Sequence, residues 1–159
     1  MPKHVDIAIR PALRSDLEAL AAAHRLAHQL VADARGGRLD TLLRGRPEPI
    51  EASFAADLDD EDTTIRVGTA NNAFAGYSVS SKRSLRSNEQ ILEIVDLWVH
   101  PEARGIGIGA ALMNAALDDA SSLGCTGIDA RALPGDRQTK NFFESFGLVA
   151  RTIEVHRSL

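Results

Sequence analysis

A single cysteine, Cys125, leaves this 159-residue chain without an internal disulfide framework or a CxxC zinc site. No apolar run approaches the roughly 20 residues that a membrane-spanning helix requires. The opening residues, MPKHVDIAIRP, hold no apolar h-region, so no secretory leader is expected. Excess positive charge is missing as well. The formal net charge is -4, so no global basic field points to a nucleic-acid partner. A phosphate loop of the GxxxxGK[ST] type is absent, and so is HExxH. His24 and His28 stand one helical turn apart, but no matching carboxylate accompanies them, and no metal is expected. What remains is 44% apolar and 25% charged, the balance of a soluble chain with one core. The expectation is one cytoplasmic domain over residues 1–159, without repeats or linkers.

The residues that are present fall into a short series of elements. Val5 to Ile9 alternates and predicts a strand. Ser15-Asp16-Leu17-Glu18 fits a capping box, and Leu17, Leu20, Ala27 and Val31 continue a helix to about residue 31. Leu39, Leu42 and Leu43 allow a short helical turn. A second helix is expected from Pro47 or Pro49 to about Leu58, closed by the acidic run Asp57 to Asp62. Thr63–Thr69 and Ala73–Ser80 predict a hairpin turning at Asn71-Asn72. Ser81 to Asn88 is polar and reads as a loop. Ile91–Val99 predicts the next strand, Gly107–Ser122 a helix ending at Gly124, and Thr126–Arg131 a strand. Asp136 is placed to cap a helix through Phe146, and Leu148–His156 predicts a last strand. Three strands in succession predict an antiparallel meander, and the strand-helix-strand from 91 to 131 predicts one parallel pair. The expected fold is α+β: a mixed, mostly antiparallel central sheet of six strands with four helices on its two faces.

One stretch concentrates the chemistry: Glu93 to Ala110, EIVDLWVHPEARGIGIGA. A strand stops at His100-Pro101, and glycines then lead into a helix. Backbone amides at a helix start hold anions. Two patterns match. Gly105, Gly107 and Ala110 satisfy the dinucleotide fingerprint GxGxxG/A, with Asp129 about 20 residues on. Yet His100 to Arg104 separates strand from glycines, and only 30 residues follow Asp129, too few for the remaining strand-helix units of a dinucleotide oxidoreductase. The second pattern is longer. Arg104-Gly105-Ile106-Gly107-Ile108-Gly109, preceded by Leu97-Trp98-Val99-His100-Pro101-Glu102, resembles the acyl-CoA-binding motif of the GNAT superfamily of N-acetyltransferases. Asn141 to Leu148 (NFFESFGL) is similar to that family's late helix-to-strand motif, and the element order follows the family along essentially the whole chain.

The resemblance implies a GNAT-like fold and transfer of an acetyl group from acetyl-CoA to a primary amine, directly within a ternary complex. It places the pyrophosphate at Arg104, Gly105, Ile106, Gly107, Ile108, Gly109 and Ala110. It pairs the pantetheine arm with the backbone of Leu97, Trp98 and Val99, and it puts an oxyanion donor at a main-chain amide near Val99. Glu93, six residues before Val99, occupies a position resembling the glutamate base of the histone-acetylating branch. Glu93 shares strand parity with Leu97 and Val99 unless a bulge intervenes; Asp96, on the opposite parity, is the second candidate base. Phe143 stands in the cofactor-facing position where many members carry a tyrosine acid. That replacement keeps open a module that binds acyl-CoA without turnover. Cys125 is read as a structural thiol, and Tyr77 as a core residue. His24 is read as an acceptor-pocket residue, and a homodimer stays open.

Overall fold

The computed structural model describes residues 4–159. Residues 1–3, which belong to the segment read for a leader, lie outside the described residues. The chain begins with β1 (Ile7–Pro11) and a short 3-10 turn (Arg14–Asp16), followed by helices α1 (Leu17–Val31), α2 (Gly37–Arg44) and α3 (Ile50–Asp59). Strands β2 (Thr63–Ala70), β3 (Ala73–Ser84) and β4 (Gln90–Val99) come next. The last elements are α4 (Ile108–Ser122), β5 (Gly127–Asp129) and α5 (Arg137–Ser145). The five strands form one sheet in the order β1-β2-β3-β4-β5, antiparallel except for the parallel β4–β5 pair. The mixed, mostly antiparallel α+β fold expected from the sequence is therefore the fold found.

Three local expectations are corrected. Leu39, Leu42 and Leu43 belong to a full helix, α2, so three helices separate β1 from β2. The Ser15–Glu18 capping box does not form. Asp16 accepts from the Leu13 amide at 2.7 Å while its carboxylate grips the Arg10 guanidinium at 2.7 and 2.9 Å, so the aspartate fills the role given to Glu18, three residues after an N-cap at Leu13. The strand expected over Leu148–His156 is absent, because a strand needs an edge to pair with, and β5 offers three residues. Val149, Ile153 and Val155 are left exposed. Elsewhere β3 outruns its expected end by four residues, from Ser80 to Ser84. The hairpin at Asn71-Asn72 holds both residues at positive φ, 50° and 66°, as a tight two-residue turn demands.

Two cores flank the sheet. On one face α1 and α3 pack Leu20, Ala21, Ile50 and Phe54 against Ile65, Val67, Tyr77 and Val79. On the other, α4 presents a helical stripe of buried Ile108, Leu112, Met113, Ala116 and Ala120, each large apolar side chain contributing roughly 1.5–3 kcal/mol. Phe143 of α5 joins Ile94 and Met113 there. A β-bulge at Val95 decides which face each β4 residue serves. The register runs Glu93↔Ser81 and Ile94↔Ser80, then skips to Asp96↔Val79 and Trp98↔Tyr77. The extra residue reverses the alternation. Glu93, Asp96 and Trp98 therefore lie on the α1/α3 face with Tyr77 and Val79, while Ile94, Leu97 and Val99 face α4. This corrects the expectation that Glu93 shares a face with Leu97 and Val99, and that Asp96 opposes it.

Candidate active site

The glycine stretch makes a site from backbone. Gly105 and Gly107 hold φ of +80° and +101°, a left-handed region that side chains with a Cβ rarely enter. That path turns the chain off β4 into α4. No side chain caps α4, and the first amide bonded inside the helix is Ala111, to the Gly107 carbonyl at 3.0 Å. The amides of Ile108, Gly109 and Ala110 thus precede any intrahelical acceptor. Ile108 itself is 1% exposed and anchors the helix start in the core, whereas Ile106 is exposed. Arg104 does not reach outward with its whole side chain: its Nε donates to the Val99 carbonyl at 3.2 Å.

Beside this loop the edge of β4 is open. The His100 amide donates to Ala75 O at 2.8 Å, so alternation turns the N–H and C=O groups of Val99 and Leu97 away from β3. They point to the side where β5 pairs with only Ile91, Leu92 and Glu93. An uncapped helix start next to an unpaired strand edge fits a ligand with a pyrophosphate at one end and an amide-bearing arm at the other, as coenzyme A has. The ring nearest this junction belongs to Phe142. A Cβ built on Gly109 would lie 3.6 Å from both Phe142 Cε2 and Val99 Cγ2. Phe143, named for this role from its place in the motif, is buried among Ile94, Met113 and Ala116. Phe142 was missed because adjacent residues of a helix point about 100° apart, and spacing alone did not say which faced the loop.

The opposite face of β4 carries a cluster of polar side chains. Arg44, Gly45, Arg46, Asp57, Ser81 and Asp96 line an open cleft of ≈ 270 Å³. Arg46 stacks over the Phe54 ring at 3.9 Å. Its Nη2 meets Asp57 at 2.7 Å and Asp96 at 3.8 Å. The Arg46 side chain is 9% exposed, and its Nε has no hydrogen-bond partner among the described residues. The Arg46 amide donates to His24 Nε2 at 3.2 Å. That bond requires Nε2 to be unprotonated and so assigns the proton to Nδ1. Nδ1 then faces the Tyr77 hydroxyl at 3.5 Å and Asp96 Oδ2 at 4.0 Å.

Burial sets the charge states here. Burial, then the neighbouring basic side chains of His28, Arg46 and Arg25, push His24 down to about 4, so the ring is neutral at pH 7. Burial raises Asp96 above the ordinary carboxylate range, and Arg46 works against that rise. Tyr77 is held well above its usual value by burial and then by Asp96, so it stays a phenol.

Glu93 lies further along the same face. It is nearly buried, with Arg131 Nη2 2.7 Å from one oxygen and Arg83 Nε on the other. Asp129, the acid of the dinucleotide pattern, is bound by Arg151, and the largely antiparallel sheet is not a dinucleotide fold. Cys125 follows the far end of α4, and fifteen helical residues span about 22 Å, so its thiol is remote from the glycine loop. His28 spends Nδ1 on Thr41 Oγ1 at 2.8 Å. Among the described residues, no group of three or more His, Cys, Asp or Glu is arranged to hold a metal. No helix among them is long and apolar enough to cross a membrane.

Comparison with known proteins converges on this geometry. The chain is similar over 110 residues, at 29% identity, to the uncharacterized N-acetyltransferase YhfO of Bacillus subtilis (strain 168), covering 69% of this chain and 74% of that protein. In fold it is similar to a transcriptional regulator from Bacillus halodurans C-125 (TM-score 0.75, 23% identity, 98% of this chain and 100% of that one). It is also similar to glucosamine-6-phosphate N-acetyltransferase from Arabidopsis thaliana (TM-score 0.69, 19% identity, 96% and 98%). Residues 22–148, which hold the later part of α1, the cleft, the glycine loop and α5, match the family model described as Acetyltransferase (GNAT) family. The chain therefore belongs to the GNAT family of acetyl-CoA-dependent acyltransferases.

Proposed function

We propose that this protein acetylates a primary amine by direct transfer from acetyl-CoA in a ternary complex, with Asp96 as the base that serves the amine. One observation carries the proposal. Within four residues, β4 presents a carboxylate to the side-chain cleft at Asp96 and an unpaired main-chain donor at Val99. Acetyl-CoA supplies the activated thioester. The amides of residues 105–110 receive its pyrophosphate, with Arg104 nearby. The outward main-chain groups of Leu97 and the Val99 amide align its arm, whereas the Trp98 main chain, expected from the sequence to share this role, faces β3; the Val99 amide supports the oxyanion that develops at the carbonyl.

An amine of pKa about 10.4 arrives protonated at neutral pH. Asp96 takes that proton, directly or through one water. Burial raises its proton affinity toward the task, and Arg46 beside it limits that rise. Glu93, the other candidate, is held between two guanidinium groups, an unfavourable place for a cationic amine. The departing thiol has a pKa of about 8.5 and leaves without a protein acid, consistent with phenylalanine at position 143. With Cys125 remote, no acyl-cysteine route is needed.

The test is release of free CoA thiol from acetyl-CoA across a panel of amines. Acceptor-dependent release supports the proposal. A second reading is favoured by the missing hydroxyl at Phe143: a module that binds acyl-CoA and signals its presence. Saturable CoA binding with no thiol release from any amine would select that reading instead.

A further inference from the structure

On the same face of β4 as Asp96, on the far side of the bulge, three arginines gather around Glu93 and Asp129. Arg83 comes from the end of β3, Arg131 from the segment after β5, and Arg151 from the C-terminal segment. Arg83 and Arg131 share the Glu93 carboxylate, and Arg151 takes Asp129. Three guanidinium groups thus face two carboxylates, in a chain whose net charge is -4. The burial is uneven. The Glu93 side chain is 7% exposed, while those of Arg83, Arg131 and Arg151 are 60%, 50% and 68% exposed. The carboxylate is the buried post, and the guanidinium heads open to solvent around it. Arg83 sets Nε against one Glu93 oxygen and Arg131 sets Nη2 2.7 Å from the other, an oxygen without a hydrogen-bond partner among the described residues; each fork has further donors for another acceptor.

The cluster borders the cleft. Ser81, a cleft-lining residue, stands directly across from Glu93 in the β3–β4 register. At the other end of the cleft the balance of charge reverses. Asp40, Asp57, Asp96 and Glu154 surround Arg44 and Arg46 there. The side chains on this side of β4, around and beyond the cleft, are therefore polarised, negative toward Asp96 and positive toward Glu93. Three residues of strand separate the two poles, about 7–10 Å.

Resting on Asp96 as the amine end of the site, we infer that the acceptor is a bifunctional molecule: a primary amine with an anionic oxyacid group, carboxylate or phosphate, roughly 7–10 Å away. The anion is received by the Arg83 and Arg131 forks, as guanidinium groups receive paired oxygens. Glu93 is then a positioning residue. It holds both arginines together beside the cleft, which accounts for a buried carboxylate that the acetyl transfer itself does not use.

The experiment compares matched acceptors: ω-amino carboxylates, aminoalkyl phosphates, and neutral amide or alcohol counterparts of the same chain length and amine pKa. Both kcat/KM with acetyl-CoA and calorimetric affinity for the CoA complex are read. Removing both arginines alone strands a buried charge, so the variant is the triple R83Q/E93Q/R131Q, with thermal unfolding as the check on folding. Arg83→Lys, which keeps charge but loses the fork, is the second variant. In the wild type, anionic acceptors should exceed neutral ones by at least about 10-fold in kcat/KM, about 1.4 kcal/mol. The triple variant should bring that ratio near one. Arg83→Lys should weaken the preference, and the carboxylate and phosphate arms then show which anion the site is built for. A wild-type ratio near one, or an unchanged ratio in the triple variant, overturns the inference while leaving acetyl transfer intact. Turnover of no amine at all would overturn the proposed chemistry, and the calorimetric ratio would still decide the anion preference.

Discussion

The two sides of β4 are built from different materials. Toward α4 the site is backbone: three amides at a helix start, a path through two left-handed glycines, and a strand edge that β5 leaves open. Toward α1 and α3 it is side chain: Arg46, His24, Asp57, Asp96 and Tyr77, brought together from five places in the chain. A backbone site is indifferent to most substitutions and binds a constant ligand. A side-chain cluster changes with every substitution and can be fitted to a particular acceptor. The division is the one the proposed function requires, a constant donor on one side and a particular acceptor on the other.

The comparison can be broken from either side. Replacing Asp96 by Asn should lower kcat by roughly 10²–10⁴, the usual worth of a positioned base, with little change in KM for acetyl-CoA. Equal loss of donor affinity would mean that the two sides are not separable. Gly107→Val imposes a β-branched residue at φ +101°, a strain of about 1–3 kcal/mol. It should raise KM for acetyl-CoA by about tenfold while the acceptor KM moves less. An unaltered donor KM would remove the glycine path from the donor site.

His24 gives a smaller, pH-dependent effect. Its folded pKa is depressed to about 4 from 6.5, so the unfolded chain binds the proton more readily. The contribution of neutral His24 is fully present above pH about 6.5 and is lost as pH falls toward about 4. The stability gap between wild type and His24→Gln should therefore narrow by about 3 kcal/mol from pH 7 to pH 4, read by denaturant unfolding. A constant gap would contradict the buried, neutral ring. The smallest effect belongs to Cys125→Ser, which should leave kcat/KM within about twofold; a large loss would reinstate an acyl-cysteine.

The same contrast explains what was legible in the sequence. Arg104 to Ala110 is contiguous, and the role proposed for it lies in the backbone, so the motif could be read from the sequence. The side-chain cluster has no contiguous signature: His24, Arg46 and Asp96 are 22 and 50 residues apart and meet only in three dimensions. Face assignments failed at a single residue. The bulge at Val95 moved Glu93 away from Leu97 and Val99, and period-two reasoning has no means to detect one extra residue. The last strand failed for a related reason. Alternation at Leu148–His156 is a property of the segment, but pairing is a property of the edge it meets.

The central claim is that Asp96, and not Glu93, receives the amine proton. It is tested most directly by the pH dependence of kcat for wild type, Asp96→Asn and Glu93→Gln with one good acceptor. The wild type should lose activity on the acid side at a pH above the ordinary aspartate value of about 3.9, because burial raises Asp96. Glu93→Gln should keep that limb, and Asp96→Asn should lose both the limb and most of the rate. A limb that vanishes in Glu93→Gln and persists in Asp96→Asn would contradict the account.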